Sequence, residues 1–175
     1  MRIDLNTITQ YQKEQCELFA KHSASSSLSE YKKRNQSDKD KIVSDIYNGK
    51  EAEFLVYNFL IASKKKLDSP DLNIYEKYGK SYDADLSVGD IDIHVKSHKV
   101  NSNFPVSWVF QKKDPLLSQA KDSDYIALVV MENGFNYMYL RKVSDVEFRE
   151  PQKKSLRDTK ACVYQRDILK TLQCV

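Results

Sequence analysis

Residues 83–96 read DADLSVGDIDIHVK. Two alternating runs flank Gly89-Asp90, and a two-residue loop beginning with glycine suits a type II′ hairpin turn. That turn sets the register. Val88 faces Ile91, Ser87 faces Asp92, Leu86 faces Ile93, Asp85 faces His94, Ala84 faces Val95 and Asp83 faces Lys96. Opposed residues share a face of the sheet. One face then carries Ala84, Leu86, Val88, Ile91, Ile93 and Val95. The other carries Asp83, Asp85, Ser87, Asp92, His94 and Lys96.

The polar face has two readings. A hairpin with one solvated face alternates in this way, and cross-strand Asp–Lys and Asp–His pairs are ordinary surface chemistry. Three aspartates on so small a face nevertheless repel one another, and Lys96 alone under-compensates them. A hard divalent cation held by carboxylate oxygens would balance the charge.

Upstream, residues 41–63 (KIVSDIYNGKEAEFLVYNFLIAS) form the strongest helix candidate. Ala52, Leu55, Val56, Phe59 and Leu60 recur at helical spacing, with a break or kink expected at Asn48-Gly49. Ser37 or Asp38 is placed to cap it. Residues 7–22 also read as helix, and the serine-rich 23–29 as a break. Downstream, residues 73–78, 83–88, 91–98, 106–110, 125–131 and 136–142 read as strands. Residues 114–121 fit a short helix with Asp114 capping and Pro115 leading, and 165–173 have helical potential. Helices, strands, a helix and further strands in this order predict a mixed α/β or α+β domain.

The chain has 175 residues and a net charge of +3, all of it contributed by residues 101–175. That surplus excludes a strongly basic DNA-coating protein and an acidic tail, and by itself names no partner. The three cysteines, Cys16, Cys162 and Cys174, form no CxxC pair, which removes a zinc ribbon and favours a reducing compartment. The N-terminus lacks a signal-peptide core, and the longest apolar runs are far too short to span a bilayer. These features predict a cytoplasmic protein without a membrane partner. Four glycines in all make phosphate-binding loops and dinucleotide folds poor candidates.

The constellation resembles the PD-(D/E)XK nuclease superfamily, whose fold is the restriction-endonuclease-like core. Asp85 matches the family's first Asp. His94-Val95-Lys96 matches its (D/E)-x-K block, with Ser97 as the small polar follower. Gly49-Lys50-Glu51-Ala52-Glu53 matches the preceding helix, with Glu53 as its acid. The segment WVFQKKDPLLSQAKDSDYIALVV, residues 108–130, matches a later strand–helix–strand. The resemblance covers roughly residues 45–142. It implies a central mixed sheet flanked by helices, with residues 1–40 as a helical extension and 41–175 as the nuclease-like core of one globular domain. It further implies a metal-dependent DNA endonuclease, with a homodimer as one way to cut two strands.

In that reading Asp85, Glu53, His94 and Lys96 are catalytic. Asp85 and Glu53 hold Mg²⁺ or Mn²⁺ with His94 or Asp92, while Gln111, Lys112, Lys113 and Lys99 meet DNA. The sequence departs from the family at His94, which stands where an acid is usual. Imidazole is a poorer ligand for Mg²⁺ than for transition ions. So His94 ligates Mn²⁺ or another transition ion directly, or Asp92 replaces the missing acid, or the fold persists as a non-catalytic module that binds nucleic acid or a protein. A weaker third reading pairs His94 with His98 on zinc.

Overall fold

The computed structural model describes residues 1–33, 36–75, 84–100, 105–132 and 134–173. Its elements are strand β1 (Arg2–Leu5), helix α1 (Gln10–Lys33), helix α2 (Lys39–Ala62), strands β2 (Leu86–Val88), β3 (Ile91–Lys99), β4 (Ser107–Gln111), β5 (Asp124–Glu132), β6 (Phe135–Lys142) and β7 (Lys160–Tyr164), and helix α3 (Gln165–Gln173). The fold is mixed α/β. A five-stranded sheet runs β1-β6-β5-β3-β2, and β4 and β7 form a second, two-stranded sheet. Only the β3–β5 pair in the large sheet is parallel.

The central strand β5 explains the layering. Ala127, Val129 and Met131 alternate with Ile126, Leu128 and Val130, and all six are buried. The first set joins Phe54, Leu55, Val56 and Leu60 of α2 in one core. The second set joins Trp108 and Phe110 of β4, Val163 of β7 and Ile168 of α3 in another. The sheet is therefore covered on both faces, by helices on one side and chiefly by the small sheet on the other. Trp108 ties the layers, its indole Nε1 donating to the Val129 carbonyl at 2.9 Å.

The hairpin register holds where β2 is paired. Leu86 faces Ile93, Ser87 faces Asp92 and Val88 faces Ile91. Gly89 has φ +58°, the left-handed value that the first turn position needs. Leu86, Ile93 and Val95 face α2 in the first core, as the alternation predicts. Ile91, near the turn, is exposed. Asp83 and its expected pairing with Lys96 lie outside the described residues.

Several expectations change. Asn48-Gly49 does not break α2, and the serine-rich 23–29 lies within α1. Ser25 Oγ donates to the Lys21 carbonyl and Ser26 Oγ to the Ser23 carbonyl, so these hydroxyls are satisfied on the helix itself. Residues 73–75 form no strand, and 76–78 lie outside the described residues. The helix expected at 114–121 is one 3₁₀ turn, Pro115–Leu117, capped by Asp114. Asp38, not Ser37, caps α2 by accepting from the Lys41 amide at 3.0 Å. The first forty residues supply β1, an edge of the main sheet, besides α1. Cys16 and Ala20 of α1 are fully buried, and Gln12 Nε2 reaches Asn58 Oδ1 of α2 at 2.9 Å.

Candidate active site

Glu53 lies on the sheet-facing side of α2 between Ala52 and Phe54, its side chain 13% exposed. Its Oε2 accepts from Lys50 Nζ at 2.6 Å. Burial chiefly, and then the charge of Asp85, push the Glu53 carboxyl up to about 8, against the opposing pull of Lys50. Burial disfavours the charged form and a neighbouring carboxylate disfavours it further. One acid named from the sequence, Asp85, thus bears on the other.

Asp85 is partly buried and sits just before β2, where the backbone ladder has stopped. Its Oδ2 accepts from the Val95 amide at 2.7 Å. The carboxylate is therefore fixed at the edge of β3, between the positions that bear His94 and Lys96.

Asp92, His94, Lys96 and His98 alternate along the other face of β3, on the side of Ile126, Leu128 and Val130. Successive same-face positions on a strand lie about 7 Å apart. Asp92 is held at both oxygens, by Ser87 Oγ at 2.9 Å and by Lys121 Nζ at 3.8 Å. His94 lines an open cleft of about 410 Å³ together with Ser87, Asp92, Gln119, Lys121 and Asp124. Asp124 is buried and accepts from the Lys121 amide at 2.7 Å. The Lys96 ammonium stands 5.4 Å from the centre of the Phe110 ring.

The sequence-derived ligand set therefore falls into two parts. The Asp85 charge bears on Glu53, and Asp92 and His94 share the cleft. Among the described residues, no three His, Cys, Asp or Glu side chains gather to hold a metal ion. His98 does not complete a zinc pair with His94. Four residues of strand place their Cα atoms about 13 Å apart. The His98 ring instead bonds through Nδ1 to the Ser107 carbonyl at 2.9 Å, and burial lowers its pKa.

The residues expected to meet DNA also divide. Lys112 and Lys113 are exposed after β4, directly before the turn whose Pro115 and Leu116 wall the cleft. Gln111 is partly buried and pairs with Lys160 of β7. Lys99 turns the other way, to Asn48 Oδ1 of α2 at 3.4 Å.

Sequence reasoning missed Lys50, Lys121 and Asp124. The Lys50–Glu53 pair carries a legible i, i+3 spacing. The pairing of β3 with β5, which brings Asp124 opposite Asp92, joins segments far apart in sequence and leaves no local signal. No protein-family model matches this chain, and a search of curated proteins found no match either.

Proposed function

We propose that this chain is a divalent-metal-dependent DNA endonuclease built on a restriction-endonuclease-like core. The observation that carries the reading is the coupling of Glu53 with Asp85, beside the strand that bears Lys96. The charge of the hairpin acid Asp85, fixed at the edge of β3, bears on the buried helix acid Glu53 and disfavours its ionised form. The element order supports the core. A helix precedes an antiparallel hairpin, and a crossover then leads to a parallel strand. The crossover here holds β4 and a 3₁₀ turn where the resemblance calls for a strand and a helix.

Two carboxylates suit Mg²⁺ or Mn²⁺, since such ions commonly keep water and take phosphate oxygens in their remaining positions. Glu53 and Asp85 would hold the ion, and its chemistry would be to lower the pKa of bound water and offset phosphate charge. The chain's own groups have simpler tasks. The Val95 amide fixes Asp85. Lys96 neutralises charge that builds on the phosphate, or orients and helps deprotonate the attacking water. Lys112 and Lys113 meet the DNA backbone. Two copies would cut two strands.

The competing reading is a non-catalytic module on the same fold that binds nucleic acid or a protein. On its side stands the absence of a three-ligand group among the described residues. Plasmid DNA incubated with the protein in Mg²⁺, Mn²⁺ or EDTA separates the two. The enzyme cuts in metal alone and loses cutting in Lys96→Ala. DNA binding without cutting in any metal overturns it. His94→Glu should shift preference from Mn²⁺ towards Mg²⁺ if His94 completes the ligand set. If Asp92→Ala abolishes cutting while His94→Glu changes nothing, Asp92 is the third ligand.

A further inference from the structure

Lys50 is 8% exposed, although lysine is seldom buried without a matched charge. Its Nζ lies 2.6 Å from Glu53 Oε2 and 2.8 Å from the Asp71 carbonyl, and 4.6 Å from the centre of the Phe19 ring of α1. One ammonium thus links both long helices to the segment after α2. The charges of Asp71 and Asp85 also bear on Glu53, and Lys50 is the cation that answers them among the described residues. A divalent ion would seek the same carboxylate oxygens. Two cations crowded on one buried carboxylate repel strongly, because screening is weak there.

We propose that Lys50 is the resident counter-cation of Glu53 and competes with a divalent ion for that carboxylate. The inference rests on the metal-dependent reading above. The Asp71 carbonyl and the Phe19 ring remain as partners of the ammonium when Glu53 engages an ion, although neither carries a matching charge. Lys50 is a positioning residue, acting on substrate only through Glu53.

The test is Mn²⁺ binding, measured by calorimetry on the full chain, with the thermal midpoint recorded with and without Mn²⁺. Lys50→Met should bind Mn²⁺ about tenfold more tightly than the wild type or better, and gain more in midpoint from it. Adding Glu53→Gln should abolish that gain. If Lys50→Met fails to fold, Lys50→Gln carries the same comparison with a polar head retained. Unchanged or weaker Mn²⁺ affinity, with binding still dependent on Glu53, overturns the role of Lys50 and leaves the metal reading intact. A gain that survives Glu53→Gln overturns the role too. No Glu53-dependent binding in any variant at millimolar Mn²⁺ overturns both.

Discussion

The Asp85 carboxylate takes a hydrogen bond of 2.7 Å from the Val95 amide, at the point where β2 stops pairing with β3. A single side chain thus completes the strand's hydrogen bonding and carries a charge next to Glu53. The two tasks separate by substitution. Asp85→Ala leaves a partly buried amide without its acceptor, at a cost of about 1–3 kcal/mol. Asp85→Asn keeps an acceptor oxygen and should stay within about 1 kcal/mol of the wild type. On the proposed nuclease reading, both should abolish DNA cutting. Urea denaturation beside a plasmid assay checks this, and full activity in Asp85→Asn would exclude the carboxylate from the chemistry.

Glu53 makes stability depend on pH. Its carboxyl is raised in the fold from an ordinary 4.5 to about 8, so the fold favours the protonated form. The stabilising contribution is complete below the unfolded value and is lost as pH rises through about 8. Glu53→Gln removes this dependence. The variant should gain on the wild type between pH 5 and 8, at up to about 1.4 kcal/mol per pH unit. Denaturation curves across that range decide it, and parallel pH profiles for the two proteins would contradict it.

The hairpin was legible because its pattern is local. Alternation assigns Leu86, Ile93 and Val95 to the core, and Gly89 supplies the turn conformation. The helix 39–62 was legible for the same reason, except at Gly49. There, burial of Ile42 on one side and Ala52 and Leu55 on the other outweighs the weak helix propensity of an Asn-Gly pair. The edge strand Arg2–Leu5 was missed because four residues carry little pattern, and pairing with β6 is what orders them. The strand Lys160–Tyr164 was missed because its buried residues follow a basic, polar stretch. The division of the polar residues between the edge of β3 and the cleft was not legible. It depends on where the crossover lays β4 and the 3₁₀ turn against β3.

Trp108 tests the second layer. It is fully buried, bonds to the Val129 carbonyl and meets Tyr139 edge to face at 6.2 Å. Trp108→Ala should cost about 3–5 kcal/mol, through lost burial and a cavity. Trp108→Phe refills much of the volume and should cost less. Thermal or urea denaturation reads the difference, and near-equal losses would mean that the hydrogen bond outweighs the packing.

Lys112 and Lys113 test the proposed DNA surface. Both are exposed, so alanine at either should leave stability within about 0.5 kcal/mol. If each ammonium neutralises one phosphate, each substitution should reduce the dependence of log affinity on log salt by about 1. Affinity titrations over a salt series measure this. An unchanged slope in the double variant would move the DNA path elsewhere.

The two-sided burial of β5 also bears on motion. Its amides lie between strands on either side, and its side chains are covered above and below. These hydrogens should be among the last in the chain to exchange with solvent, because releasing them requires both layers to come off together. Asp85 is bonded to the Val95 amide of β3, the strand that shares a ladder with this slow centre. Asp85 is thus anchored next to the part of the molecule that opens least often, while the cleft wall at Pro115–Leu117, a single 3₁₀ turn, should exchange its amides sooner.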